Sequence, residues 1–286
     1  MMKTLSLCVI GHPIGHTMSP FIHTQLFNTS GVSAEYTAKE ITPNNLNYDF
    51  KSLKLLDGFN ATIPFKQQII PLLDRLDESA LLCGAVNTVY TNGETVGYNT
   101  DMHGFEGAIK HAGISLSGDV LICGTGGAAR AVAFSAAMAE CNITIAVRQG
   151  SEAAANALCD DVRAKIIGAE LKITHYEDIC NKYDLAINAT PVGMYPNVGK
   201  SVLTEEQICR CGAVYDLIYN PEQTELLRIA RKHGIKCDSG MSMLVMQAAK
   251  AHEIWYGATF SNEQINQIIA DAAAETKRIF AGGDNS

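Results

Sequence analysis

The feature of this sequence that most constrains its fold is a glycine-rich turn that directly follows a short apolar stretch. Its residues are Gly124, Thr125, Gly126, Gly127, Ala128 and Ala129. In such a G-x-G-x-x-A pattern the first glycine permits a tight turn, the second lets a pyrophosphate approach the backbone, and the final alanine lets helix and strand pack closely. The N terminus of the following helix offers N–H donors to the phosphates. The turn therefore predicts a Rossmann-type dinucleotide site.

The surroundings of this turn complete a doubly wound unit. Apolar runs predict strands over 119–123, 142–147, 171–174, 183–188 and 213–217, and the stretches between them predict helices over 128–140, 152–166, 205–209 and 224–232. Strands that alternate with helices are typical of a parallel sheet with crossover helices. We therefore expect residues 102–240 to form a Rossmann-type doubly wound dinucleotide-binding domain.

The N-terminal part predicts a second α/β domain. Residues 5–63 read as strand, helix, strand, helix and strand, and Asn92-Gly93 predicts a type I′ turn between strands 86–90 and 95–98. We expect residues 1–101 to form a substrate-binding and catalytic domain. The tail, 241–286, predicts two helices without a sheet of their own, with Ser261 as N-cap of the second. These helices are expected to pack back on the first domain.

Composition excludes several classes of partner. The formal net charge of −8 argues against nucleic acid, because phosphate-backbone binding needs a basic surface. No apolar run is long enough to span a bilayer. Nine cysteines occur without a C-x-x-C pair, which favours reduced thiols and a cytoplasmic protein. His12 and His16 flank Pro13, which breaks helical spacing, so no metal site is expected.

Polar side chains follow the predicted strands of the N-terminal domain. They lie in the segments 11–20, 60–66, 85–88 and 97–101, and they are Thr17, Ser19, Thr62, Lys66, Asn87 and Asp101. Because the carboxyl ends of parallel strands face the ligand crevice, this set predicts a site for a small polyhydroxylated carboxylate, with one acid–base pair. Four of these residues also have a structural explanation: Thr17 and Ser19 fit helix capping, Lys66 an exposed helix position, and Asp101 an N-cap.

At this point the chain resembles the shikimate dehydrogenase family. The segments above, the glycine-rich turn and the later segments 188–194, 215–221 and 240–247 occur in the family's order, from about residue 9 to 255. The resemblance implies an NADP-dependent oxidoreductase that acts on a CH–OH group. Its reaction is the reversible reduction of 3-dehydroshikimate to shikimate in aromatic amino acid (chorismate) biosynthesis. It also implies a monomer or homodimer, with shikimate or 3-dehydroshikimate as the small-molecule partner.

The resemblance also assigns roles to individual residues. Thr17 and Ser19, with Tyr219 beside them, would hold the substrate carboxylate. The ring hydroxyls would be bonded by Thr62, Asn87, Asp101 and Gln247. Lys66 with Asp101 would transfer the proton. Leu217 and Gly240 would lie against the nicotinamide, and the glycine-rich turn would hold the pyrophosphate.

Three departures from the family's pattern leave alternatives open. The family's first serine is replaced by Thr17, which leaves quinate, or both quinate and shikimate, as alternative substrates. The second cofactor strand ends at Arg148 without a carboxylate, which favours NADP through a guanidinium–phosphate contact. The family's N-R-T and its second basic residue are absent here, where the chain reads 147–152 V-R-Q-G-S-E, so NAD remains possible. An alternative of another class is a non-catalytic dinucleotide-dependent sensor, although such a protein needs neither Lys66 nor Asp101.

Overall fold

The computed structural model describes residues 3–15 and 17–280. The chain forms two compact units, one from Met1–Gly104 with Val245–Ser286 and the other from Phe105–Leu244. The helices and strands, in chain order, are β1 (Leu5–Gly11), α1 (Ser19–Ser30), β2 (Ala34–Glu40), α2 (Leu46–Leu53), β3 (Gly58–Ala61), α3 (Phe65–Gln68), β4 (Arg75–Leu76), α4 (Glu78–Cys83), β5 (Thr88–Thr91), β6 (Thr95–Tyr98), α5 (Asp101–His111), β7 (Asp119–Cys123), α6 (Gly127–Met138), β8 (Asn142–Val147), α7 (Glu152–Lys165), β9 (Leu171–His175), β10 (Tyr183–Asn188), α8 (Glu205–Ile208), β11 (Cys211–Asp216), α9 (Glu225–Lys232), β12 (Lys236–Ser239), α10 (Met241–Tyr256) and α11 (Asn262–Phe280).

The first unit is built on a six-stranded sheet in the order β2-β1-β3-β5-β6-β4. Strand β1 pairs in parallel with β2 and β3, which confirms the predicted strand–helix–strand start, and β5 and β6 form an antiparallel hairpin beside β3. Successive residues of β1 point to opposite faces of the sheet. Cys8 and Ile10 join one apolar cluster, and Leu7 and Val9 join another that includes Trp255. Both faces of this sheet are therefore buried.

The predicted type I′ turn of the hairpin is wrong. Thr91 pairs with Thr95, so three residues connect the strands, and of these only Gly93 has a positive φ, +78°. A type I′ turn needs two such residues. The register is set instead by Asp74, whose carboxylate accepts from the backbone N of Thr95 at 2.8 Å and from its hydroxyl at 2.7 Å. This register keeps Val96 buried, whereas a slip of one residue would turn it outward.

The C-terminal helices pack on this first unit, as predicted. The Trp255 Nε1 of α10 donates to the Val89 carbonyl at 3.0 Å, and a Cβ at Gly58 would lie 2.4 Å from that nitrogen, so the glycine admits the indole. Helix α11 begins with a capping box in which Ser261 Oγ accepts from Gln264 N at 3.3 Å and Gln264 Oε1 accepts from Ser261 N at 2.8 Å. The predicted cap is confirmed, and its reciprocal partner satisfies a second end group.

A buried pair of histidines joins α10 to α1. His23 Nδ1 and His252 Nε2 are 2.8 Å apart, and the His23 ring stacks on Tyr36 with centroids 4.0 Å apart. Both imidazoles are almost completely buried. Burial lowers the pKa of His252 to about 3 and, together with the neighbouring His252, lowers the pKa of His23 well below its usual value. Both rings are therefore neutral in the folded protein at neutral pH.

We expect this pair to make the protein sensitive to acid. Below pH about 6.5 the unfolded chain binds protons at both histidines that the folded chain does not bind, so the free energy of unfolding falls as the pH falls from there towards 3. Each histidine contributes a slope of about 1.4 kcal/mol per pH unit. Urea unfolding at a series of pH values measures this slope. The double variant His23→Phe/His252→Phe should show a flatter dependence between pH 6.5 and 4.5, and an unchanged slope would contradict the assignment.

The second unit is a parallel six-stranded sheet in the order β12-β11-β10-β7-β8-β9. Leu121 and Cys123 of β7 belong to an apolar cluster that also includes Leu227 and Ala230 of α9, and Val120 is fully buried on the opposite face of the strand. Strands β7, β8 and β9 progress in one direction and β10 to β12 in the other, so the order reverses between β7 and β10. This is the predicted doubly wound fold, and its ligand crevice lies beyond the carboxyl ends of the strands at that reversal.

The described residues include neither a membrane-spanning helix nor a cluster of metal-binding side chains. Within residues 3–15 and 17–280, no helix is both long and apolar enough to cross a membrane. Within the same ranges no three histidine, cysteine or acidic side chains gather as a candidate metal site. His16, one of the two histidines considered at the sequence level, lies outside the described residues.

Candidate active site and cofactor site

Lys66 and Asp101 form the centre of a polar cluster in the first unit. Lys66 lies in α3, after the turn that ends β3, and Asp101 is the first residue of α5, after β6. The Lys66 Nζ donates to Asp101 Oδ2 at 2.5 Å, and the two side chains are 17% and 8% exposed. Because the pair is largely withdrawn from water, its attraction is stronger than that of a surface pair. An ammonium carries three donors, so Lys66 can contact a ligand oxygen while it stays paired.

The start of α5 leaves the Asp101 carboxylate available for this pair. Asn99, two residues earlier, accepts with its Oδ1 from the backbone N of Asp101 at 3.1 Å and of Met102 at 3.3 Å. Its Nδ2 donates to the Ala85 carbonyl at 2.9 Å. Asn99 therefore bonds two free N–H groups at the start of the helix. Asp101 is itself the first helical residue, and its carboxylate accepts from Lys66 and Asn87 instead. The capping interpretation of Asp101 is wrong for this reason.

Asn87 links the pair to its surroundings. Its Nδ2 donates to Asp101 Oδ1 at 2.8 Å and to Thr100 Oγ1 at 2.9 Å, and lies 3.4 Å from Gln247 Oε1. Its Oδ1 accepts from the backbone N of Thr100 at 2.7 Å. The backbone N–H of Thr100 can bond only to the amide oxygen, and the Asp101 carboxylate only to the amide nitrogen. The Asn87 amide therefore has one possible orientation. The structure thus brings Lys66, Asp101, Asn87 and Gln247 into one connected cluster.

A second set of buried groups supports Asn87 from the other side. Asn60 of β3 donates through Nδ2 to the Asn87 carbonyl at 3.1 Å and to Thr88 Oγ1 at 3.0 Å, and its Oδ1 accepts from the Tyr36 hydroxyl at 2.6 Å. Asn60, Thr100 and Tyr36 were not among the residues predicted from the sequence. Asn60 and Thr100 lie inside the segments 60–66 and 97–101. Their positions close to Thr62 and Asp101 in the sequence could have indicated that they belong to the same cluster. Tyr36 gives no such signal, because it is distant in sequence.

Thr17 and Ser19 pair with each other at the start of α1. The Thr17 hydroxyl donates to Ser19 Oγ at 3.1 Å and accepts from the Ser19 backbone N at 3.2 Å. The N-cap position is held by Met18, and no side chain caps this helix end. The capping interpretation of the two hydroxyls is therefore wrong. Both side chains are partly exposed, so they are available to a ligand.

Thr62 lies against the end of β1. A Cβ at Gly11 would be 2.6 Å from the Thr62 methyl, so only glycine at this place admits the threonine. The Thr62 backbone N donates to the Ile10 carbonyl at 2.9 Å, and its side chain is partly exposed. Tyr219, the remaining predicted substrate residue, belongs to the second unit, in the segment after β11.

In the second unit, the glycine-rich turn has the geometry that a pyrophosphate needs. Gly124 adopts φ +104°, and a Cβ there would be 2.9 Å from Thr190 Cγ2 and 3.2 Å from the Ala189 carbonyl. Gly126 is the N-cap of α6, no side chain caps that helix end, and a Cβ at Gly126 would meet nothing within 4 Å. Thr125, Gly127 and Ala128 are partly exposed beside it, while Ala129 is buried against the sheet. Open space above uncapped helix N–H groups is the arrangement that binds phosphate.

The residues predicted at the nicotinamide end lie together beyond β11 and β12. A Cβ at Gly240 would be 2.0 Å from the Leu217 carbonyl oxygen, so glycine lets the two segments touch. Asp216, just before Leu217, is fully buried and accepts from Thr224 Oγ1 at 2.6 Å and from Asn188 Nδ2 at 3.0 Å. Burial raises the pKa of Asp216 to about 6, and its hydrogen bonds oppose that rise. Asp216 therefore anchors the Leu217 segment to the end of β10.

Arg148 stands where the sequence placed it, at the tip of β8. It directly follows Val147, the last residue of the strand, and is exposed. Among the described residues the guanidinium makes no hydrogen bond or ion pair that would have to be broken for a ligand. An exposed, planar donor at the end of the second strand of this fold lies where the ribose of a dinucleotide is read.

The chain is similar to known proteins over nearly its whole length. Residues 9–89 match the family described as the shikimate dehydrogenase substrate binding domain. The NADP⁺-dependent shikimate dehydrogenase of Methanocaldococcus jannaschii is 39% identical over 276 residues, which cover 94% of this chain and 97% of that protein.

Two solved structures extend the agreement to the whole fold. A crystal structure of a shikimate dehydrogenase in complex with NADP⁺ superposes with a TM-score of 0.86 at 38% identity, covering 94% of this chain and 96% of the other. The shikimate 5-dehydrogenase of Thermus thermophilus, in complex with NADP(H) and shikimate, gives a TM-score of 0.84 at 32% identity, covering 94% of this chain and all of the other (100%).

Proposed function

The chain belongs to the shikimate dehydrogenase family, and we propose that it catalyses the reversible, NADP-dependent reduction of 3-dehydroshikimate to shikimate. This reaction is a step of aromatic amino acid (chorismate) biosynthesis. The observation that carries the proposal is the Lys66–Asp101 pair, a withdrawn acid–base couple among hydroxyl and amide side chains. The same chain holds an open glycine-rich turn in its second unit.

We propose that NADP is bound by the second unit, with the turn from Gly124 to Ala128 around the pyrophosphate. The open space at Gly126 and the uncapped α6 support this. Arg148 would contact the 2′-phosphate, and Leu217 and Gly240 would border the nicotinamide. The bound dinucleotide supplies or accepts the hydride. In domain terms, we propose that 1–101 binds the substrate, 102–240 binds the dinucleotide, and the helices of 241–286 complete the substrate domain.

Within the substrate domain, Lys66 is proposed as the group that handles the proton. Reduction of the C3 carbonyl develops negative charge on its oxygen, and an adjacent ammonium stabilises that charge and can donate the proton. In the reverse direction the lysine takes the proton from the C3 hydroxyl. Asp101 Oδ2 holds the ammonium in place, while Asn87 holds the opposite oxygen, Oδ1. The carboxylate therefore orients the lysine without free rotation of its own.

The remaining polar groups are proposed to bind and orient the ring. Thr17 and Ser19, whose hydroxyls are already paired with each other, would bond the carboxylate together with Tyr219. Thr62, Asn87, Asp101 and Gln247 would bond the ring hydroxyls. Several fixed hydrogen bonds suit a small polyhydroxylated acid, since a ligand that lacks a hydroxyl leaves a buried polar group unpaired.

A second candidate substrate is quinate, with NAD as the alternative cofactor. Thr17 is the reason to consider quinate, because its methyl group lies beside the hydroxyls proposed to bind the carboxylate. This methyl group changes the shape of the space that the substrate ring would occupy. Steady-state kinetics with both acids and both cofactors decide the matter. We expect the highest kcat/KM for shikimate with NADP. A higher value for quinate would make the protein a quinate dehydrogenase of the same fold. Cofactor binding without turnover of either acid would make it a sensor.

Arg148→Ala tests how the cofactor is chosen. A partly exposed guanidinium–phosphate contact contributes on the order of 1.5–3 kcal/mol. We therefore expect the KM for NADP to rise by roughly ten- to a hundredfold while that for NAD changes little. Arg228→Ala, which removes an exposed arginine of α9 paired with Glu225, is the matched control. Arg148 has no part in the choice if its variant prefers NADP as strongly as the wild type.

The cysteines and the net charge also indicate where the protein acts and which partners it lacks. We propose a cytoplasmic enzyme that acts as a monomer or homodimer and binds no nucleic acid. Nine cysteines, all present as free thiols, support a reducing compartment, and the net charge of −8 supports the absence of a nucleic-acid partner. Sedimentation equilibrium distinguishes monomer from dimer.

A further inference from the structure

A histidine of the neighbouring strand lies beside the tip of β8. In the parallel pairing of β8 and β9, His175 is the register partner of Val147, the residue before Arg148. The imidazole Nε2 is 2.8 Å from Glu152 Oε1, and Glu152 also accepts from the backbone N of Gly150 at 3.0 Å. The histidine is therefore attached, through Glu152, to the loop that carries Arg148.

The charges at this tip leave it close to neutral only if the histidine is protonated. Arg148 is positive, Glu152 is negative, and Asp178, whose Oδ2 is 3.6 Å from His175 Nδ1, is also negative. Burial raises the pKa of the next residue of the chain, Tyr176, and the positive charge of Arg148 opposes that rise, so the guanidinium acts electrostatically on this end of β9 as well. With a neutral imidazole the charges of Arg148, Glu152 and Asp178 sum to minus one, which disfavours a phosphate. A protonated imidazole cancels it.

We propose that His175 is a second specificity-determining residue for the 2′-phosphate of the cofactor, with Glu152 as its counter-ion. Both side chains are partly exposed, at 31% and 41%, so a ligand at the tip can reach them. In a doubly wound fold the ribose 2′ position lies at the end of the second strand, which here is β8. A phosphate placed beside Arg148 stabilises the charged imidazole and takes over from Glu152 as its partner. Binding of the phosphorylated cofactor is thereby coupled to uptake of a proton.

The inference rests on the proposed use of NADP and has its own test. Isothermal titration calorimetry of NADP and of NAD, without substrate and in buffers of different ionisation enthalpy, gives each Kd and the number of protons taken up. At pH 7.5 we expect the wild type to take up protons with NADP and not with NAD, because only NADP brings the phosphate that stabilises the charged imidazole.

Three variants separate this role from a structural one. His175→Gln keeps a hydrogen-bond donor for Glu152 but cannot carry charge, and should raise the Kd for NADP by roughly five- to twentyfold with little change for NAD. The proton uptake that depends on NADP should be lost. Glu152→Gln removes the repelling charge and should tighten NADP binding. His233→Gln is the control, because His233 pairs with Glu205 at 2.5 Å, is similarly exposed, and belongs to α9 and its C-cap.

The outcomes distinguish the two proposals. If the wild type binds NADP no more tightly than NAD, the proposed cofactor is wrong and this inference fails with it. If the wild type prefers NADP and His175→Gln keeps both the preference and the proton uptake, the inference alone is overturned. A loss of affinity for NADP and NAD alike would show a structural role for His175 and would also overturn it.

Discussion

Replacing Lys66 with alanine lowers kcat by roughly a hundredfold to ten-thousandfold, the range that a general acid–base group contributes. The variant lacks both the proton donor and the positive charge beside the developing alkoxide. The binding of NADP should change little, because the proposed cofactor residues belong to the other unit. Single-turnover rates with 3-dehydroshikimate and NADPH measure the chemical step directly.

The folded state should survive this substitution with Asn87 still bonded to Asp101 Oδ1. The carboxylate loses its partner at Oδ2, so some loss of stability is expected and is measured by thermal unfolding. Lys39→Ala is the matched control, since Lys39 forms an ion pair with Asp49 at 3.3 Å in the same unit, away from the polar cluster. Lys66 has no catalytic role if its alanine variant keeps most of the wild-type kcat.

Replacing Gly126 with valine abolishes measurable NADP binding while the protein stays folded. The φ of Gly126 is −72°, which valine adopts without strain, and a Cβ there meets no protein atom within 4 Å. The added methyl groups therefore fill only the space that the pyrophosphate needs. Calorimetry measures the cofactor affinity, and circular dichroism measures the melting temperature.

Gly124→Ala provides the contrast within the same turn. Gly124 has φ +104° and little room for a Cβ, so alanine there should lower the melting temperature. The two glycines thus predict separable defects, one in binding and one in folding. Shikimate binding, for which all proposed residues except Tyr219 belong to the other unit, should survive in Gly126→Val. Normal NADP affinity in that variant would show that the cofactor binds elsewhere.

The strands of the cofactor unit were predicted closely from the sequence. The predicted bounds 119–123, 142–147 and 183–188 coincide with β7, β8 and β10, because strands buried on both faces are unbroken apolar runs. Strand β12, Lys236–Ser239, was missed, since it lies at the sheet edge and its sequence K-C-D-S has no apolar pattern.

The composition of the site was predictable, but its geometry was not. Polar residues at strand ends identified Lys66, Asn87 and Asp101, because parallel strands converge at their carboxyl ends. The sequence could not show whether the Asp101 carboxylate caps its own helix or pairs with Lys66. That choice depends on Asn99, whose side chain takes the cap, and on a lysine 35 residues away. The hairpin register likewise depends on Asp74, a contact over 21 residues. Local patterns do not report such distant hydrogen bonds.

We propose that this chain oxidises shikimate with NADP⁺. The most direct measurement is the initial rate at which reduced nicotinamide forms when the purified protein is mixed with shikimate and either NADP⁺ or NAD⁺. We predict turnover with both cofactors, a higher kcat/KM with NADP⁺, and loss of both activities in Lys66→Ala. Absence of turnover with either cofactor, in a protein that binds NADP⁺, would contradict the proposed function.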